Sequence, residues 1–126
     1  RTELVWLSST LADEHAYAAR LTRLMDALHR LRAGDDLGTA LAEPVRELAS
    51  AAPGSRLNLL LTDGVSIAAT AWGDSLWYLA DAERRRTVVA SEPYDDDTRW
   101  REVPDRTLLT ATRTRVELTP LKENSL

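Results

Sequence analysis

The sequence contains no cysteine, and this absence excludes several kinds of chemistry at once. Without a thiol the chain cannot form disulfides, bind a metal through thiolates, or attack a substrate with a cysteine of its own. The lack of cysteine also fits a cytoplasmic protein, and the cytoplasm is the compartment that we expect. We expect neither a bound metal nor a cofactor.

Long hydrophobic runs and an excess of positive charge are missing as well. No apolar run approaches the roughly 20 residues that cross a bilayer. The N-terminal stretch lacks a basic start and a long apolar centre, so no signal peptide is expected. The net charge of -4 argues against nucleic-acid binding. A chain of 126 residues with 44% hydrophobic residues predicts one domain over residues 1–126.

The first part of the chain has the period of amphipathic helices. Apolar residues spaced three and four apart predict a helix from about Thr10 to Ala33, and Gly34 stands where such a helix would end. The spacing continues into a second helix that ends before Pro53-Gly54. Pro44 removes a backbone donor, so it is expected to kink this helix or to delay its start. The apolar positions of the second helix are Leu37, Leu41, Val45 and Leu48.

From Arg56 onward, short β-rich runs alternate with turn residues. Asp63-Gly64 predicts a two-residue type I′ turn. The sequence therefore indicates an α+β fold in which two helices pack on an antiparallel meander of five or six strands. LNLLL (57–61) and TVVA (87–90) are apolar on both faces, which predicts a layer on each side of the sheet. The predicted strands are 56–62, 65–72, 75–79, 87–91, 107–112 and 116–118.

Three segments between residues 53 and 109 are recognisable, namely PGSRLNLLLTDG, IAATAWGDSLWYL and VVASEPYDDDTRWREVPDRTLL. They resemble the C-terminal half of the class II glutamine amidotransferase-like amidohydrolases of ergothioneine biosynthesis, which remove glutamate from γ-glutamyl-hercynylcysteine sulfoxide. The resemblance covers residues 28–121 and leaves residues 1–27 and the tail 122–126 unmatched. It implies half of the four-layered αββα sandwich of the N-terminal-nucleophile hydrolases.

That family uses an N-terminal cysteine as nucleophile, and this chain contains none. Two interpretations follow. In one, the chain is part of the amidohydrolase, and a second polypeptide carrying the N-terminal cysteine half supplies the nucleophile. In the other, it is a non-catalytic binding or interaction module that retains this half of the sandwich. In either case, LNLLL and TVVA are expected to be exposed to water unless a partner or a second copy of the chain covers them.

The loop after TVVA is the candidate functional surface, because loops at the ends of rigid strands often carry binding groups. The implied substrate bears a trimethylammonium group, which aromatic faces and carboxylates bind. We therefore expect Tyr94 and Asp95, with Trp72 or Trp100, to line the pocket for that group. The alternative is that Trp72 and Trp77 belong to the sheet core. The run Asp95, Asp96, Asp97 is more typical of a solvated loop than of a metal site.

Overall fold

The structure of the chain is a computed structural model that describes the backbone of residues 3–10, Thr22, and residues 36–122. In this part of the chain no helix is long and apolar enough to cross a membrane. The predicted helix from about Thr10 to Ala33 falls outside the described residues, apart from its first residue and Thr22. The elements in chain order are β1 (Glu3–Thr10), α1 (Leu37–Ala51), β2 (Arg56–Thr62), β3 (Ile67–Ala71), β4 (Trp77–Asp81), β5 (Arg86–Ala90), β6 (Arg101–Glu102), β7 (Thr107–Ala111) and β8 (Val116–Pro120).

Helix α1 confirms the second predicted helix. Asp36 caps its first turn, because the Asp36 carboxylate accepts hydrogen bonds from the backbone N–H groups of Gly38 and Thr39. The helix begins at Leu37 and continues through Pro44, so the expected delay of its start is wrong. The helix tolerates the backbone donor that Pro44 lacks, because Leu41 before the proline and Leu48 after it are buried.

Five strands form one antiparallel sheet in the order β1-β2-β3-β7-β8. Strand β1 has no counterpart among the strands predicted from the sequence, and it ends where the first helix was expected to begin. It pairs with the whole of β2, from Glu3 opposite Thr62 to Thr10 opposite Arg56, with one register shift. The pairing at the centre of the sheet is between strands distant in sequence, since β3 pairs with β7 and not with the strand that follows it.

A second sheet contains three strands in the order β5-β4-β6. The single meander predicted from the sequence is therefore wrong, because the chain changes sheets between Ala71 and Trp77. The α+β class itself is confirmed. The two sheets and α1 form successive layers, with the five-stranded sheet in the middle.

Each face of the five-stranded sheet has its own core. Toward α1, the side chains of Leu57, Leu59 and Leu61 are fully buried. The expectation that LNLLL is exposed to water without a partner is wrong, because α1 covers these leucines. The three-stranded sheet covers the opposite face, where Ala69 and Leu109 meet residues of the second sheet; the residues of this second core are Ala69, Ala71, Leu76, Val103, Leu109 and Ala111, with Tyr78 and Val89 packed against them.

The turn between β2 and β3 differs from the predicted type I′ turn. It contains four residues, 63–66, and positive φ occurs at Gly64 but not at Asp63. The Asp63 carboxylate accepts hydrogen bonds from the N–H groups of Val65 and Ser66, and these bonds stabilise the longer turn. Val65 is consequently 76% exposed and does not belong to a strand.

Candidate functional site

The loop of residues 91–100 connects β5 to β6 and is fastened by one arginine. Arg99 donates through Nε and Nη2 to the two oxygens of Asp97, at 3.1 and 2.7 Å. Its Nη1 lies 3.3 Å from Oδ1 of Asp81, at the end of β4. This two-sided contact joins the loop to the rigid second sheet.

Asp81 is the buried centre of this contact, with a side chain only 2% exposed. Its Oδ1 accepts a hydrogen bond from the backbone N–H of Arg84, and Arg84 and Arg86 also place Nε atoms 3.9 Å from Oδ2. The hydrogen bond from Arg84, followed by the charge of Arg99, lowers the pKa of Asp81. Asp81 is therefore charged at neutral pH, and three arginines lie around it.

The ion pair within the loop also affects both of its partners. Hydrogen bonds from the Arg99 side chain and backbone lower the pKa of Asp97 from 3.8 to about 2. The same contact raises the pKa of Arg99 further above its usual value. Asp97 thus stabilises the loop through its ion pair, and its charged carboxylate cannot act as a proton donor near neutral pH.

Three of the four predicted site residues come together in this loop. The rings of Tyr94 and Trp100 meet edge to face, with centroids 5.1 Å apart. The Trp100 indole N–H donates to Oδ1 of Asp95 at 2.7 Å, and the Asp97 N–H donates to the same oxygen. Trp100 is buried and supports the pair, whereas Tyr94 is 64% exposed and presents its ring to solvent. An exposed ring beside a carboxylate favours a cation over an anion.

Trp72 lies elsewhere, in the core between α1 and the five-stranded sheet. The Arg106 guanidinium lies 5.0 Å from the centroid of its ring, in a cation–π contact. Both residues line a cleft of about 240 Å³ together with Arg56 and Asp105. The structure therefore groups Trp100, and not Trp72, with Tyr94 and Asp95.

The AWGDS segment (71–75) is held by Asn58, a fully buried amide within LNLLL. Its Oδ1 accepts from the N–H groups of Trp72 and Asp74, and its Nδ2 donates to the carbonyls of Asp74 and Ser75. The N–H of Gly73 donates to Asp105, in the VPDR segment (103–106). The AWGDS and VPDR segments thus meet at the corner where the chain changes sheets.

Sequence reasoning overlooked Asn58, Asp81 and Arg99. Asn58 was detectable as the single polar residue within an apolar strand, because buried amides need partners. The partners of Asp81 and Arg99 are brought together only by the fold. Among residues 36–122, no group of three histidine or acidic side chains is arranged to hold a metal ion.

The fold is that of a class II glutamine amidotransferase domain. A glutamine aminotransferase class-II domain protein from Silicibacter pomeroyi superposes with a TM-score of 0.66 at 20% identity, covering 96% of this chain and 68% of that one. A predicted glutamine amidotransferase from Pseudomonas aeruginosa gives 0.64 at 16% identity, covering 91% and 59%.

Within that class, the chain is homologous to part of the γ-glutamyl-hercynylcysteine sulfoxide hydrolases, which confirms the resemblance seen in the sequence. The relative from Mycobacterium tuberculosis is 45% identical over 82 residues, which make up 65% of this chain and 34% of that protein. The relative from Mycolicibacterium smegmatis is 43% identical over 98 residues, or 78% and 40%. The chain therefore spans little more than a third of the length of these relatives. No protein-family model matches it.

Proposed function

We propose that the chain is part of an amidohydrolase that removes glutamate from γ-glutamyl-hercynylcysteine sulfoxide in ergothioneine biosynthesis, in the cytoplasm. The observation that carries this proposal is the 45% identity to hydrolases with that name. Because these 126 residues contain no cysteine, the nucleophile of such an enzyme must come from elsewhere. A second polypeptide that carries the N-terminal cysteine half is the proposed source.

Among the described residues the second layer of the sandwich has only three strands, and this supports a partner of this kind. Leu118 in β8 lies opposite Leu109 of the inter-sheet core, so both side chains point to the same face of the sheet. Leu109 is fully buried, yet Leu118 is 38% exposed. Further strands from a partner would cover Leu118 and extend the three-stranded sheet beyond β5, whose residues Thr87–Ala90 are half-buried.

Leu118→Asp tests this interface in a co-expression experiment with a polypeptide that begins with the cysteine half. Val65→Asp is the matched control, because it places the same charge on a more exposed apolar residue that is not part of β8. We expect the control to copurify with the partner and to release glutamate from the substrate, and Leu118→Asp to do neither. Failure of the unsubstituted chain to copurify or to support glutamate release contradicts the proposal.

For the substrate, we propose that Tyr94 and Asp95 contact the trimethylammonium end, with Trp100 positioning them. The exposed Tyr94 ring and the free edge of the Asp95 carboxylate support this assignment. In the assembled enzyme, Tyr94→Ala should weaken substrate binding by about tenfold, while Tyr94→Phe retains the ring and should bind nearly as tightly. Equal affinity of the Tyr94→Ala and unsubstituted enzymes contradicts this role.

A non-catalytic binding module is the second candidate, and one observation favours it. The apolar strand β2 is buried by α1 within the chain itself, so the helix side of the sheet requires no partner. This alternative predicts a stable monomer that binds the substrate or its trimethylammonium end without hydrolysis. Analytical ultracentrifugation of the chain alone and with the cysteine half distinguishes the two candidates.

A further inference from the structure

A cleft of about 210 Å³ lies where the turn after β2, the turn after β4 and the turn after β7 meet. Arg85, Arg86 and Arg113 all line it, and none of the other described residues that line it is acidic. This is an unusual local composition for a chain that has 20 acidic and 16 basic residues. Three positive charges at one cleft repel one another and create a locally positive potential.

The charges of these arginines are poorly compensated within the described residues. Arg85 and Arg113 form no ion pair there. Arg86 approaches Asp81 through Nε at 3.9 Å and also interacts with the charge of Asp97, but both carboxylates are shared with Arg99. An arginine has five N–H donors, so a contact through Nε leaves the terminal amino groups of Arg86 available for another acceptor.

The walls of the cleft are held in place before any ligand arrives. The Thr87 hydroxyl donates to the backbone carbonyl of Thr112 at 2.8 Å, which ties the start of β5 to the turn after β7. Asp63 organises the third turn through the N–H groups of Val65 and Ser66. Such preorganisation lowers the entropic cost of binding.

We propose that this cleft is a binding site for a small oxyanion, a phosphate or a carboxylate group. Guanidinium groups bind both kinds of anion through paired hydrogen bonds. The cleft is smaller than the roughly 300–1,000 Å³ of drug-sized sites, which restricts the ligand to a small molecule or to one anionic group of a larger one. This site is separate from the Tyr94 loop, whose chemistry favours a cation, and it does not depend on the proposed enzymatic function.

Titration with inorganic phosphate and with succinate, at constant ionic strength maintained with chloride, tests the site by calorimetry. Arg113→Gln and Arg85→Gln remove one charge each, and Arg101→Gln is the control because Arg101 is an exposed arginine on β6. Loss of one charge-assisted hydrogen bond should weaken binding about tenfold or more in the first two variants. The control should bind as the unsubstituted chain does.

Binding of phosphate alone identifies a phosphate site, and binding of succinate identifies a carboxylate site. The melting temperature provides a second readout, since a ligand that binds only the folded chain raises it. The rise should be present in the control and reduced in Arg113→Gln. Binding of neither anion, or an equal loss of affinity in all three variants, overturns the proposal.

Discussion

The Arg99 guanidinium lies 3.3 Å from the Asp81 carboxylate, although Asp81 ends strand β4 and Arg99 belongs to the loop before β6. This contact connects the loop that carries the exposed residues Tyr94 and Asp95 to a buried charge in the second sheet. It ties a loop rich in aspartate to the end of strand β4. Two of its three consecutive acidic residues, Asp95 and Asp97, accept hydrogen bonds from the loop itself.

Replacement of Arg99 by lysine should loosen this loop. Lysine keeps the positive charge but cannot bind Asp97 through two nitrogens while also reaching Asp81. We expect the amide protons of Asp97 and Arg99 to exchange on the order of tenfold faster, as measured by NMR hydrogen exchange. Arg101→Lys on β6 should leave both rates unchanged. Equal exchange rates in the unsubstituted and Arg99→Lys chains would show that the paired hydrogen bonds from Arg99 to Asp97 do not order the loop.

The lowered pKa of Asp97 predicts the direction of a pH effect on stability. Its folded-state pKa of about 2 lies below its ordinary value of 3.8, so the folded state releases this proton more readily than the unfolded state. The stabilisation is therefore complete above about pH 5 and is lost as the pH falls from about 4 to 2. The stability difference between the unsubstituted chain and Asp97→Asn, measured by urea unfolding, should shrink over that interval. A difference that grows on acidification would refute the assignment.

Asn58→Ala should destabilise the corner between the two sheets. It removes four hydrogen bonds to backbone groups of Trp72, Asp74 and Ser75, and it leaves the buried N–H of Trp72 without its acceptor. We expect a loss on the order of 3 kcal/mol in the free energy of unfolding. Asn58→Asp keeps the accepting oxygen but loses the donor to the carbonyls of Asp74 and Ser75. This variant therefore distinguishes the contribution of the acceptor from that of the donor. A loss below about 0.5 kcal/mol for the alanine variant contradicts this account of the corner.

Gly38→Ala should be destabilising because of a single close contact. An added Cβ at Gly38 would lie 2.9 Å from Cγ2 of Thr110 in β7. Overpacking of this kind costs about 1–3 kcal/mol in unfolding free energy. Thr110→Ser removes the opposing methyl group, so the double variant should recover part of the loss. Strictly additive effects of the two substitutions would argue that α1 and β7 do not meet at this point.

Local pattern was sufficient where an element depends on its own residues. Strand β2 begins and ends as predicted, at Arg56 and Thr62, since an apolar β-rich run followed by a turn residue is a strong signal. Helix α1 follows from its spacing of apolar residues, although Pro44 had less effect than expected. The helix tolerates it because tertiary packing of Leu41, Val45 and Leu48 outweighs the loss of one backbone donor.

Pairing between distant segments could not be predicted from local pattern. Strands β3 and β4 belong to different sheets, with the segment between them bonded to the Asn58 amide and with β7 paired beside β3. Strand β6 has only two residues and no periodicity to detect. In the candidate site, Tyr94 and Asp95 are neighbours in the chain, but the choice between Trp72 and Trp100 required the fold.

The position of β7 has a consequence for how the chain folds during synthesis. The hairpin of β2 and β3 keeps an unpaired edge until residues 107–111 leave the ribosome, because β7 is the neighbour of β3. Such late closure of a sheet raises the contact order and slows folding. The nascent protein therefore has a period in which chaperones can protect that edge from pairing with other chains.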